Sequence, residues 1–160
     1  MSPSKPDPRG VIQNFIDYML NEDYAGHDTA VLRRLKVPSA YYKPTPCATF
    51  RINITPDLCN KSGNLHGGAT AMIFDLCTTF PIFLARQEGS WKTPSVSRTL
   101  NVAYLAAVRA GEEVEVEAEV IGIGKRLVHC RGTMKRVSDG TVVATCEHGK
   151  VNTDSQRSKL

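Results

Sequence analysis

The chain has 160 residues, of which 41% are hydrophobic and 22% are charged. This length and composition are typical of one folded domain with a core of its own, and they exclude disordered and fibrous proteins. The net charge is only +4, a surplus too small for a nucleic-acid-binding protein, so we expect no nucleic-acid partner.

The N-terminal part of the sequence predicts two helices. Asp7 and Pro8 are typical of a helix start, and apolar residues then recur at helical spacing, which predicts a first helix over residues 8–21. Asp28 can cap a second, short helix. Three prolines then break regular structure: Pro38, Pro44 and Pro46. We therefore assign residues 1–39 to an N-terminal helical flank.

A strand and a long apolar helix follow. From Cys47 to Thr55 apolar and polar residues alternate, which is the pattern of a half-buried strand. The run from Gly67 to Leu84 is apolar on nearly every face and has no helix breaker before Pro81, so it predicts a buried central helix. Its apolar part is too short to cross a bilayer and contains Asp75, so we expect no membrane span.

The C-terminal half predicts antiparallel strands, at residues 95–104, 113–123, 126–137 and 141–151. Asp139-Gly140 predicts a hairpin turn between the last two. A strand, a long buried helix and a run of antiparallel strands predict an α+β fold in which the sheet wraps around one helix. We assign residues 40–151 to this domain and residues 152–160 to a flexible tail.

Asp75 is the one carboxylate of the predicted central helix. It stands between Phe74 and Leu76 with little polar sequence around it, and an unpaired buried charge is unfavourable. Two interpretations are open. Asp75 caps a loop or pairs with a cation from a neighbouring strand, or it is a general base.

Residues 60–68 lead directly into this helix. Gly67 would place a backbone N–H at the helix start, where the dipole is positive and the lack of a side chain lets a ligand approach closely. Such a position can bind a carbonyl oxygen that becomes an oxyanion. The alternative is a tight turn without a ligand.

Asn60, His66-Gly67-Gly68 and Asp75 stand at spacings that resemble those of the hotdog-fold thioesterases. The chain resembles the branch of acyl-CoA thioesterase 13, also named thioesterase superfamily member 2, which is related to the phenylacetate-pathway thioesterases. The resemblance extends over about residues 48–151. It implies a hotdog fold, with an antiparallel sheet wrapped around a long central helix, and the helices predicted at the N-terminus would be additions to that fold.

The resemblance also implies an acyl-CoA thioesterase that needs no metal and no organic cofactor. Asp75 would act as general base or as nucleophile. Asn60 and Gly67 would hold the thioester carbonyl, with a supporting hydrogen bond from His66. Ser97 would orient the water molecule.

Two further expectations concern the surroundings of this site. Ser95 or Thr99 could take the place of Ser97. Gly68 would bind the CoA substrate. Lys125 and Arg126 would bind it through its phosphates. A solvated basic face is the alternative for the last two. No histidine or cysteine spacing is typical of a metal site.

Helix geometry predicts an oligomer independently of the resemblance. Nine residues make about 2.5 helical turns, so His66 and Asp75 would lie on opposite sides and roughly 13 Å apart. They cannot both contact one thioester from the same chain. A working site therefore needs a homodimer with a two-fold axis, and the resemblance adds the homotetramer as an alternative.

The sequence stops at Ser158-Lys159-Leu160, the tripeptide that the peroxisomal import receptor reads at a free C-terminus. We expect this receptor as a partner and the peroxisomal matrix as the location, with the cytosol as a second one. Two other functions are alternatives to thioester hydrolysis. Hydratases of the same fold usually carry a histidine five positions after the aspartate, where this chain has Phe80. A non-catalytic acyl-CoA- or lipid-binding module would keep the pocket without turnover.

Overall fold

An antiparallel sheet of six strands packs against a central helix in the computed structural model, which describes residues 5–20, 24–87, 89–93 and 95–154. The strands are β1 (Lys36–Tyr41), β2 (Cys47–Asn53), β3 (Val96–Tyr104), β4 (Glu113–Ile123), β5 (Leu127–Arg136) and β6 (Val142–Val151). Their order across the sheet is β1-β2-β4-β5-β6-β3, and each neighbouring pair is antiparallel. The predicted α+β architecture is confirmed.

The helices are α1 (Pro8–Met19), α2 (Thr29–Leu32), α3 (Gly67–Thr79) and α4 (Ile82–Ala85), and a 3₁₀ turn covers Pro56–Leu58. The predicted start of α1 is confirmed, because the Asp7 carboxylate accepts a hydrogen bond of 2.9 Å from Gly10 N. The predicted cap at Asp28 is wrong. Its backbone has helical angles, φ −89° and ψ −5°, and its carboxylate accepts from the Tyr24 hydroxyl at 2.8 Å instead. A capping side chain needs an extended backbone to reach the first free N–H groups.

The expectation that Pro38 ends regular structure is also wrong, because Pro38 lies inside β1. This strand is an edge of the sheet, and its pairing with β2 shifts register between Lys36 and Ser39. Edge strands and bulges tolerate a residue that has no N–H to donate. β1 runs across residue 39, and α1 packs against it. Ile12 and Ile16 of α1 are buried in the same core as the sheet.

The single helix predicted over residues 67–84 is divided in two. α3 ends at Thr79 and α4 begins at Ile82, since Pro81 between them cannot donate to a preceding carbonyl and its ring clashes with the preceding turn. The expectation that the apolar segment is too short to cross a membrane is wrong, because Gly67–Ala85 is long and apolar enough by length and composition. Most of this segment is nevertheless buried inside the protein. It is the core helix of the domain.

The helix α3 packs tightly against the sheet at Gly132 of β5. A Cβ atom at this position would lie 2.8 Å from the Phe74 ring and 2.9 Å from Cys146 Sγ, both closer than a real Cβ contact allows. The absence of a side chain at Gly132 therefore allows α3 to pack close to the sheet. This packing sets which face of α3 turns toward β6 and β3, where Asp75 lies.

Candidate active site

Asp75 faces a polar cluster at the edge of the sheet. Its Oδ1 atom lies 3.0 Å from Ser97 Oγ of β3, 3.3 Å from Lys150 Nζ and 3.5 Å from His148 Nε2, the last two on β6. All three groups approach the same carboxylate oxygen. Asp75, Ser97 and Lys150 line a cleft of about 390 Å³ together with Leu76 and Val96.

The expectation that Asp75 is buried with little polar company is wrong. Its side chain is 46% exposed, and it forms an ion pair with Lys150. The exposure arises because Asp75 lies next to β3, the last strand of the sheet. The first interpretation of this carboxylate is confirmed, because Asp75 pairs with a cation from a strand. The second interpretation, a general base, stays a prediction, and Asp75 also lines an open cleft.

Ser97 contacts the carboxylate directly. Its hydroxyl lies between Asp75 Oδ1 and His148 Nε2, at 3.0 Å and 2.9 Å. Ser95 lines the same cleft. Thr99 pairs with Gly149 across the strands and lines a different depression.

His148 and Lys150 are two members of this cluster that the sequence analysis missed. Their exposed fractions are 0% and 4%, although a lysine is almost never fully buried unless it is paired. The sequence pattern of β6 could have indicated them. Side chains two positions apart in a strand lie on the same face, so His148 and Lys150 share the core-facing side of β6 with Ala144 and Cys146.

The protons of His148 can be assigned from its neighbours. Burial, followed by the nearby Lys150 charge, lowers the pKa of His148 from 6.5 to about 4, so the ring is neutral at physiological pH. Thr78 Oγ1 lies 2.6 Å from both the Phe74 carbonyl and His148 Nδ1. The carbonyl can only accept, so the Thr78 hydroxyl donates to it. His148 Nδ1 must then carry the hydrogen and donate to Thr78, which leaves Nε2 as an acceptor.

The other group of predicted residues lies at the start of α3. The Asn60 side-chain oxygen accepts from Ser62 N at 3.0 Å and from Asn64 N at 3.3 Å. These bonds use the side-chain oxygen as the acceptor, which leaves the two hydrogens of Nδ2 as possible donors to a ligand. Asn60 itself is exposed.

His66 caps the helix. Its Nδ1 accepts a hydrogen bond of 2.9 Å from Gly68 N, which places the proton of the neutral ring on Nε2. A Cβ atom at Gly68 would lie 3.1 Å from this Nδ1. Gly67 occupies the first helical position, where an N–H has no intrahelical acceptor. Tyr104, which the sequence analysis missed, donates to the Gly67 carbonyl at 2.9 Å.

The structure does not bring these two groups together within one protomer. α3 runs without interruption from Gly67 to Thr79, and Asp75 follows Gly67 by eight residues. At 1.5 Å per residue, about 12 Å of helix separates them. One thioester carbonyl cannot contact both from the same chain.

Lys125 and Arg126 lie at the turn between β4 and β5, and both are exposed. They line a cleft of about 640 Å³ with Trp91, Asn152 and Asp154. Gly68, also predicted to contact CoA, lies instead at the start of α3. Among the residues that the structure describes, no group of three His, Cys, Asp or Glu side chains is placed to hold a metal ion.

Comparison with known proteins identifies the family. The family model described as Thioesterase superfamily matches residues 62–143. Acyl-coenzyme A thioesterase 13 of Mus musculus is 28% identical over 120 residues, which are 75% of this chain and 81% of that protein. The Homo sapiens protein of the same name is 31% identical over 91 residues, 57% of this chain and 62% of that protein.

Solved structures agree with this assignment. The crystal structure of zebra fish thioesterase superfamily member 2 superimposes with a TM-score of 0.76 at 26% identity, covering 92% of this chain and 99% of that one. The structure of the E. coli PaaI protein from the phenylacetic acid degradation operon shares the fold, with a TM-score of 0.65 at 14% identity. The superposition covers 89% of this chain and 94% of the PaaI chain. The chain has the hotdog fold and belongs to the thioesterase superfamily, a family of thioester hydrolases.

Proposed function

We propose that the protein hydrolyses acyl-CoA thioesters to a free acid and CoA. The observation that carries this proposal is the Asp75 carboxylate, held at Oδ1 by Ser97 and Lys150 in an open cleft. The relatives named acyl-coenzyme A thioesterase 13 support the choice of CoA as the thiol. The turn with Lys125 and Arg126 supplies two exposed cations for its phosphates.

The proposed reaction uses side chains and backbone alone. The Asn60 amide and the Gly67 N–H of one protomer polarise the thioester carbonyl and bind the oxyanion. Asp75 of the partner subunit takes a proton from water through Oδ2, the oxygen opposite the one that Lys150 and Ser97 hold. The resulting hydroxide attacks the carbonyl carbon, and the tetrahedral intermediate collapses with loss of the CoA thiolate. The proton held by Asp75 then passes to the thiolate or to solvent, which restores the carboxylate. A thiolate is a good leaving group, so a single carboxylate suffices.

The exposed edge of the sheet supports a homodimer. β3 pairs with β6 on one side and ends the described sheet on the other. Three large apolar side chains on or next to this strand are more than half exposed: Val96, Tyr104 and Leu105. An unpaired edge strand of nine residues is a template for a second strand. Two copies related by a two-fold axis would close both edges, and a pair of such dimers would give the homotetramer.

Release of free CoA tests the proposed function. Purified protein is assayed with a panel of acyl-CoAs, with a thiol reagent as the readout. We expect turnover by the wild type and at least a hundredfold loss in Asp75→Ala, the size typical of removing a general base. Asp17→Asn on the exposed face of α1 is the matched control and should keep full activity. Acyl-CoA binding without any turnover by the wild type would favour the binding module.

Import into peroxisomes is proposed from the sequence. Ser158-Lys159-Leu160 lie outside the described residues, and the argument is the tripeptide itself. A fluorescent protein fused in front of the chain should collect in peroxisomes. Deletion of Leu160 should leave it in the cytosol, and an unchanged distribution would contradict the signal.

A further inference from the structure

We propose that Lys150 is the positioning residue of Asp75, and that its ammonium group, more than the Ser97 hydroxyl, holds the carboxylate in place for water. This inference rests on the thioester hydrolysis proposed above. It adds a residue of β6 that is not part of the Asn60, Gly67, Asp75 and Ser97 set.

The burial of Lys150 requires an explanation. Its side chain is 4% exposed, and an ammonium group removed from water is unfavourable unless charged and polar partners surround it. Its Nζ lies 3.3 Å from Asp75 Oδ1 and 3.2 Å from Ser97 Oγ. The partners of this buried charge are therefore the two side chains that the proposed reaction uses.

Counting hydrogens shows why Ser97 cannot hold Asp75 alone. Ser97 has one hydroxyl hydrogen and two acceptors within reach, Asp75 Oδ1 at 3.0 Å and His148 Nε2 at 2.9 Å. Because Thr78 requires the hydrogen of His148 on Nδ1, the Nε2 atom competes with the carboxylate for that single hydrogen. Lys150 has three hydrogens and can donate to Asp75 and to the Ser97 oxygen at the same time.

Loss of Lys150 should therefore affect the chemical step. Without the ammonium group, Ser97 donates to His148 and the Asp75 carboxylate loses its fixed orientation toward water. A misplacement of about 1 Å in such a group lowers turnover by up to about a hundredfold. Because only 4% of the Lys150 side chain is exposed, substrate binding should change little.

The test compares Lys150→Met with Lys135→Met in the full chain. Lys135 is the matched control because its ammonium group pairs with Glu117 at 2.8 Å in a second ion pair of the sheet, away from the cleft. We expect kcat to fall by about tenfold to a hundredfold in Lys150→Met, with KM within about twofold and kcat unchanged in the control. Wild-type kcat in a folded Lys150→Met would overturn the proposal.

Chemical rescue separates positioning from folding. Ethylammonium chloride added to Lys150→Ala should restore part of kcat, whereas sodium chloride at equal concentration should not, and Asp75→Ala should not respond to either. A loss of kcat that ethylammonium does not restore would assign Lys150 a structural role and overturn the proposal. A wild type without thioesterase activity would instead contradict the proposed function, so the two failures are distinguishable.

A measurement on the wild type alone covers the case in which neither variant folds. The ¹⁵N chemical shifts of the His148 ring at pH 7 should show a hydrogen on Nδ1 and a bare Nε2. If Nε2 carried the hydrogen, it would no longer compete for the Ser97 hydroxyl hydrogen, and Ser97 could donate to Asp75 alone. That result would contradict the proposed role of Lys150.

Discussion

Mixing two inactive variants tests whether the site is shared between subunits. Asn60→Ala removes the carbonyl donor in the loop before α3, and Asp75→Ala removes the carboxylate, which lies about 12 Å along the helix from Gly67. If each site takes Asn60 from one protomer and Asp75 from the other, a mixed dimer carries one intact site and one doubly damaged site. Each variant alone should be inactive, and the mixture should regain activity.

The expected recovery can be calculated. Equal amounts of the two variants, unfolded and refolded together, assort at random, so about half of the dimers are mixed and half of their sites are intact. The mixture should therefore reach about a quarter of the wild-type kcat, with a wild-type KM. CoA release is measured before and after refolding.

Two controls support this interpretation. Mixing without refolding should give less activity at first and should approach the same value as subunits exchange. The double variant carrying both substitutions in one chain, refolded with wild type, distinguishes a shared site from one within a chain, because it should leave each mixed dimer with no intact site. Failure of the two single variants to complement each other, although an affinity tag on one variant co-purifies the other, would refute the shared site.

Three further predictions concern stability and substrate binding. The pKa of His148 is about 4 in the fold against 6.5 for the free side chain, so the unfolded chain binds more protons between these values, and stability present above pH 6.5 is lost as pH falls toward 4. Relative to His148→Gln, the wild type should lose on the order of 3 kcal/mol between pH 7 and pH 4 in denaturant unfolding at fixed protein concentration. Gly132→Ala should destabilise the fold by about 1–3 kcal/mol in the same assay, because its Cβ would overlap Phe74, whereas Gly122→Ala, with open space around it, should change stability little. Lys125→Gln combined with Arg126→Gln should raise KM for acyl-CoA without raising it for an acyl thioester of pantetheine, and an equal rise for both substrates would contradict the phosphate contact.

Short-range sequence patterns correctly predicted the strand β4 and the hairpin turn at Asp139-Gly140. β4 has the predicted bounds because Val114, Val116, Ala118 and Val120 alternate with glutamates, and the sheet buries those four side chains. The hairpin at Asp139-Gly140 forms as predicted, with Gly140 at φ +72°. The break in the central helix also has a local cause, because Pro81 alone indicates it. The prediction of one helix as far as Leu84 gave the apolar run more weight than this proline and was wrong.

The surroundings of Asp75 were beyond local reasoning. Ser97 and Lys150 stand 22 and 75 positions away in the chain, and they meet the carboxylate only because β3 pairs with β6 at the end of the sheet. The strand order β5-β6-β3 places a sequence-distant strand beside the last one, which no periodicity indicates. The exposure of Asp75 follows from the same topology.

The exposure of Asp75 gives the proposed dimer a second role beyond completing the site. In one protomer nearly half of the carboxylate side chain is open to solvent, where water screens its interaction with Lys150 and competes for its hydrogen bonds. A partner strand along β3 would cover Val96 and the cleft beside it. Fixed dipoles act more strongly once water is excluded. The contact that brings Gly67 of the partner subunit to the thioester would therefore also strengthen the polarisation of the thioester carbonyl by Gly67 and Asn60. Catalysis and assembly would then depend on one surface, and a substitution on β3 that separates the subunits should abolish turnover while leaving the cluster of Asp75, Ser97 and Lys150 intact.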